Sequence, residues 1–215
     1  MSANPANATA DVLEPATAAE SIVNGVNVTG LFQTVDAVKA NPVVAKFRFD
    51  VKNEWLDGPH NRSIINGFHG ATQDIERPQS FLLHADEHPI LLGRDQGPNA
   101  GEYLLHALAA CVTSTLIYHA AARGIVVEAV ESRVEGDVDL RGFLGLDENV
   151  RNGFQNIRMS FDIAADVSDR ELQELAKLGP TFSPVLDTLT KGVPVTVQAQ
   201  RMSQKQADNE LKEKR

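Results

Sequence analysis

One thiol dominates the chemistry that this sequence could perform. Cys111 is the sole cysteine among 215 residues, and it sits in the most apolar stretch, Tyr103 to Ala122. A single cysteine excludes an internal disulfide and a cysteine-based structural zinc site. Any redox chemistry must therefore be single-cysteine chemistry. Free cysteines are also common as inert, small hydrophobes, so the residue type alone leaves packing and reactivity both open. On a helix, Ser114 and Thr115 would share the face of Cys111, as would Ala107 and Leu108 one turn earlier. Glu102 falls near the opposite side and suits the role of an N-terminal helix charge. The helix terminus itself is too distant to acidify the sulfur, so a thiolate would need a cation from elsewhere in the fold. The first candidate is Arg62, read here as part of a turn segment, Gly58 to Arg62. Arg94 competes with it, whereas Arg123 lies about 18 Å further along the same helix and cannot reach.

Other chemistries find less support. His84 and His88 flank a proline turn, and His106 and His119 are over three helical turns apart, so neither pair marks a metal site. No G-x-S-x-G elbow and no glycine-rich phosphate loop is present, and no metal or other cofactor is expected. A net charge of -9 and a pI near 5.1 argue against nucleic acid and anionic membranes as partners. The Tyr103 to Ala122 stretch has the length of a bilayer span. It nevertheless carries His106, His119 and Thr113-Ser114-Thr115, which favours the buried helix of a soluble protein. The N-terminus lacks a basic region and an apolar core, so a signal peptide is not expected and a reducing, cytoplasmic location is.

The elements that must position the thiol follow from periodicity. Residues 1–20 read as a disordered leader, 21–202 as one domain and 203–215 as a polar tail. Val43 to Leu56 alternates as a strand with one slip in register; Ser63 to Phe68 and Ser80 to His84 are further strands. Asp86-Glu87-His88-Pro89 is read as the turn closing a second hairpin. A long helix from about Gly101 to Arg123 ends at Gly124, and strands are expected over Ile125 to Leu140 and Asn156 to Ala164, separated by a loop from Arg141. Ser168 and Glu171 form a capping box for a helix over Asp169 to Leu178, stopped by Gly179-Pro180. Ser183-Pro184 opens a short helix to about Leu189, and Val193 to Gln200 is a final alternating strand. The order implies an α+β fold.

The run Gly97-Pro98-Asn99, then Glu102-Tyr103-Leu104-Leu105-His106-Ala107-Leu108-Ala109-Ala110-Cys111, resembles the central-helix motif of the OsmC/Ohr family, P-x-E-L-L-x-A-A-x-x-A-C. Downstream, Phe182-Ser183-Pro184-Val185-Leu186-Asp187-Thr188-Leu189 resembles that family's second motif, C-P-V-x-x-x-L. The similarity spans about Phe47 to Val197. It implies an intertwined homodimer with curved antiparallel sheets around two central helices and active sites at the subunit interface. It further implies that the first cysteine attacks an organic hydroperoxide, that an arginine lowers its pKa, and that a second cysteine resolves the sulfenic acid. Here Cys111 matches the first cysteine, while Ser183 stands in the place of the second. The acid that some members carry ten residues before the cysteine is Gly101, with Glu102 one position later, and Arg62 is an approximate match to the arginine.

Two functions follow as expectations. The first is a single-cysteine thiol peroxidase with Cys111 and Arg62 as catalytic residues, Ser183 and Glu102 beside the substrate, and a hydroperoxide and an external thiol as reactants. The second keeps the dimeric fold without turnover, as a stress-related protein holding a small apolar ligand.

Overall fold

The computed structural model describes residues 20–203, so the expected leader and polar tail lie almost wholly outside the described residues. The described residues open with a tight hairpin, β1 (Ile22–Val23) and β2 (Val26–Asn27). Its turn residues Asn24 and Gly25 both have positive φ, at 52° and 75°, as a two-residue hairpin turn requires. Asn27 then caps α1 (Val28–Ala40), its side chain accepting from the Gly30 N–H at 2.8 Å. Asn24 ties this unit to the rest of the chain. Its amide donates to the Ile125 carbonyl and accepts from the Val127 N–H, both at 2.9 Å.

The stretch expected as one strand from Val43 to Leu56 is broken. A 3-10 turn at Pro42–Ala45 precedes β3 (Arg48–Phe49) and β4 (Lys52–Asp57). Proline at the first position of the turn favours that local winding over extension. The strands β5 (His60–Ile65), β6 (Phe68–Gly70), β7 (Gln73–Ile75) and β8 (Phe81–Ala85) complete two antiparallel sheets, ordered β4-β5-β8 and β3-β6-β7. The Asp86 turn closes no hairpin. Asp86, 2% exposed, instead accepts from the N–H groups of Glu87, Arg94 and Gln96 and winds residues 86–96 into a loop. Burial works to raise its pKa, but those donors overcome the penalty and leave it lowered.

The centre is helical. α2 (Ala100–Ala121) starts at a capping box in which Asn99 and Glu102 satisfy each other's backbone N–H groups, each at 2.8 Å. Gly124, at φ 68°, follows its C-terminus. By length and composition α2 is apolar enough to span a bilayer, yet it packs against β9 (Val127–Asp137), α4 (Asp169–Phe182) and α5 (Pro184–Lys191). Between them lie α3 (Leu140–Phe143), inside the stretch expected as loop, and β10 (Asn156–Ala165), which pairs antiparallel with β9. The capping box of Ser168 and Glu171 opens α4 as its sequence predicts.

Gly179-Pro180 does not end α4, which runs on to Phe182. The reason is close packing. A Cβ on Gly179 would lie 2.8 Å from the Val112 carbonyl oxygen and 3.3 Å from Leu116 Cβ. The missing side chain therefore lets α4 cross α2 at close range, and that packing holds the helix through a proline that would otherwise break it. Leu175, Gly179 and Ser183, spaced by four, meet a stripe of Leu108, Val112, Leu116 and Ala120 on α2. Leu116, Ala120 and Leu175 form the buried core, joined by Val130, Ile163 and Leu178.

Val193 to Gln200 forms no ladder, contrary to the strand expected there. Its apolar residues Val193, Val195 and Val197 alternate but are exposed, the last by 87%. Alternation marks a strand only where a partner edge exists, and within the described chain none meets this segment.

Candidate functional site

The α2–α4 crossing determines what surrounds the thiol. Cys111 lies next to Val112 on α2, and Ser183 is the residue that follows α4 and caps α5. The Ser183 hydroxyl donates to Cys111 Sγ at 3.2 Å and accepts from the Leu186 N–H at 3.2 Å. A serine hydroxyl has one proton. With the Leu186 N–H engaging a lone pair, that proton is directed at sulfur. Ser183 is 1% exposed, whereas Cys111 is half-buried, so the sulfur has a protein side and an accessible side.

The neighbours expected from helix periodicity play another part. Thr115 and Ser114 both donate to the Cys111 carbonyl, at 2.7 and 3.2 Å, and spend their hydroxyls on backbone. Glu102 is committed to the capping box at the start of α2. Phe154 fills the space beside Gly101, where a Cβ would lie 3.3 Å from its Cζ, and uses the missing Cβ of Gly136 in the same way.

Arg62 is not in a turn. It lies inside β5, because Gly58-Pro59 suffices to close the β4–β5 hairpin. Its cross-strand partner is Glu54, and their side chains pair at 2.6 Å. Lys52 contacts the other carboxylate oxygen at 2.5 Å. Together Lys52 and Arg62 pull the Glu54 carboxyl down to about 2. Arg62 Nε is buried without a hydrogen-bond partner among the described residues. Among the described residues no hydrogen bond joins Arg62 to Cys111. The competing Arg94 pairs with Asp57 at 2.9 Å, and Arg123, out of reach on α2, donates to the His119 carbonyl.

His119 stacks on Phe182, with ring centroids 4.5 Å apart, next to the Ser183 corner. Burial, with the Arg123 charge nearby, lowers its pKa. His84 does meet another histidine, but it is His60, at 2.9 Å between ring nitrogens, and not His88. Among the described residues no group of three or more His, Cys, Asp and Glu side chains could hold a metal. A shallow groove of about 490 Å³ runs along α2, lined by Val26, His106, Ala110, Ser114, Ile117 and Tyr118.

Sequence and structure comparisons bear on the family and the fold. Residues 93–198, which include both Cys111 and Ser183, match the family of OsmC-like proteins. No protein with a curated description matches the chain. An OsmC-like protein from Mycoplasma pneumoniae superposes with a TM-score of 0.52 at 20% identity, over 68% of this chain and 89% of that one. A Psychrobacter arcticus 273-4 protein, provisionally described as an osmotic stress induced and detoxification response protein, gives 0.50 at 10% identity over 68% and 92%. At such identities these likenesses bear on the fold, and the fold is the same. Residues 93–198 are thus an OsmC-like domain, in a chain with the fold of OsmC-like proteins.

Proposed function

We propose that the protein is a thiol-dependent peroxidase that reduces organic hydroperoxides with Cys111 alone. The observation that carries this reading is the buried Ser183 hydroxyl aimed at Cys111 Sγ from 3.2 Å, a hydrogen-bond donor placed beside the sulfur and not a second thiol. The Cys111 thiolate attacks the distal oxygen of ROOH. The O–O bond breaks, a proton passes to the leaving alkoxide to give ROH, and Cys111 becomes a sulfenic acid. An external thiol then forms a mixed disulfide with loss of water, and a second thiol regenerates Cys111 with release of a disulfide. Arg62 supplies the cation that orients the peroxide and holds the thiolate.

The working unit is a homodimer. Phe49, Trp55, Phe81, Leu92 and Val197 are all exposed in the single chain, more apolar surface than a soluble monomer presents without a partner. A second copy would cover these faces, give Val193 to Gln200 an edge to pair with, and bring Arg62 to the thiol. We place the protein in the cytoplasm, where small thiols are available.

The test is steady-state consumption of cumene hydroperoxide with a small thiol. Saturable turnover that Cys111→Ser abolishes supports the reading, and equal slow consumption by both proteins refutes it. The groove along α2 favours one second reading, a non-catalytic carrier of a small apolar ligand. That reading predicts ligand binding unchanged in Cys111→Ser.

A further inference from the structure

The peroxidase reading leaves one pair of metal-binding side chains unused. His60 and His84 are 24 residues apart in sequence, and the β5–β8 ladder brings them together. Arg62 pairs with His84 across that ladder, so His60, two residues before Arg62, is the diagonal neighbour of His84 on the same face. A slip of one residue would send the two rings to opposite faces. His60 Nε2 and His84 Nδ1 stand 2.9 Å apart, with the rings tilted by 34° and both residues half-buried. His84 is also held from the α2 side. The Tyr103 hydroxyl donates to its carbonyl at 2.7 Å, and Gly97 packs its bare backbone against the same oxygen. Asp86, two residues on from His84, is buried and acts electrostatically on His60.

We propose that His60 and His84 are the protein half of an exchangeable site for a divalent transition metal, copper(II) or nickel(II), with water completing the coordination. Two imidazole nitrogens at right angles on one ion, each about 2.05 Å from it, stand about 2.9 Å apart, and a tetrahedral pair about 3.3 Å. The observed spacing fits the right-angled corner that copper(II) and nickel(II) favour, with little movement of either ring. The same spacing suits a hydrogen bond between the rings, and the ion takes the place of the proton between them. Each neutral ring then keeps its one proton on the far nitrogen, His60 Nδ1 and His84 Nε2, so no proton need leave the protein. The Asp86 carboxylate, held ionised by its backbone donors, offsets the charge of the ion, while Arg62, the cation opposite His84, is paired with Glu54. Two ligands stop short of the four that close a structural zinc site, and among the described residues no third His, Cys, Asp or Glu joins them. The ion is therefore open to solvent and to exchange. This inference goes beyond the peroxidase reading and does not rest on it.

The experiment uses the full-length protein and two probes. Nickel(II), which leaves the thiol unoxidised, is titrated into wild type, His60→Gln, His84→Gln and His88→Gln by calorimetry. Copper(II) is added to the same set on a Cys111→Ser background and followed by electron paramagnetic resonance. The proposal expects one equivalent of either ion and, for copper(II), a tetragonal signal split by two imidazole nitrogens. His60→Gln and His84→Gln should each weaken binding by about tenfold or more, since even an outer partner of a metal ligand is worth that much. His88→Gln, in the neighbouring loop, should bind as wild type does. Binding unaltered by both substitutions, or weakened by only one of them, overturns the chelate, as does a copper(II) spectrum without imidazole nitrogen. Far-UV circular dichroism without metal checks that each variant folds. If His84→Gln does not, the nitrogen count decides: two before and one after His60→Gln supports the site, and an unchanged count refutes it.

Discussion

Replacing Ser183 by cysteine should convert the site into a two-thiol centre. The Ser183 oxygen and the Cys111 sulfur are 3.2 Å apart, so the two sulfurs of the variant need to approach by only about 1 Å to reach a bond of about 2.05 Å. The disulfide would close a loop of 72 residues. By the chain-entropy relation such a closure removes about 15 cal/mol/K from the unfolded chain, worth about 4 kcal/mol at room temperature. Against this stands the loss of the Ser183 cap on the Leu186 N–H, about 1 kcal/mol. The oxidised variant is thus expected to gain about 4 kcal/mol over its reduced form and about 3 kcal/mol over wild type, less whatever strain the bond carries. For a protein of this size that raises Tm by about 6–12 °C. One equivalent of cumene hydroperoxide followed by intact mass spectrometry and thiol titration checks the chemistry. Wild type should gain about 16 Da as sulfenic acid, whereas the variant should lose about 2 Da and both thiols. A variant that gains oxygen and keeps its second thiol would show that the α2–α4 corner does not hold the two side chains as described.

Three further outcomes follow from the same geometry. Gly179→Ala puts a Cβ 2.8 Å from the Val112 carbonyl, and forcing the helices apart is expected to cost about 1–3 kcal/mol in urea unfolding. Glu54 has a folded pKa of about 2, below its ordinary 4.5, so its contribution to stability is full above about 4.5 and is lost as pH falls towards about 2. Urea midpoints measured across that window should fall less steeply in Glu54→Gln than in wild type. Val195→Asp places charge in the exposed alternating segment and is expected to weaken the proposed homodimer, read as a concentration-dependent shift to monomer in sedimentation.

Local signals in the sequence were dependable where the chain satisfies itself. The capping box of Ser168 with Glu171, the glycine after α2, and the Ser183-Pro184 start of α5 all form where residue type demands, and Glu102, read as a helix charge, also closes a capping box with Asn99. The Ser183 position opposite Cys111 was legible from motif order, and the structure gives that order a distance. Signals failed where tertiary contact overrules local preference. Gly179-Pro180 reads as a helix stop, yet the glycine serves the crossing with Val112 and the helix continues. Asp86 looks like a hairpin turn residue until three backbone donors from the following loop converge on it. Asn24-Gly25 between short apolar pairs was a hairpin signal available in the sequence, and the Asn27 cap would have pointed to α1. The Glu54–Arg62 pair could not be read without the β4–β5 register, since only that register makes residues eight apart direct neighbours. Likewise, Val193 to Gln200 has a strand's alternation but no edge within its own chain.

The central claim is that Cys111 is a peroxide-reactive thiol whose sulfenic acid has no internal partner to resolve it. It is tested most directly by intact mass spectrometry of the wild-type protein after one equivalent of cumene hydroperoxide, with dimedone present. The account predicts a single dimedone adduct on Cys111, suppressed when an excess of small thiol competes for the sulfenic acid and absent from Cys111→Ser. Wild-type protein that stays unmodified while the hydroperoxide remains unconsumed would contradict it.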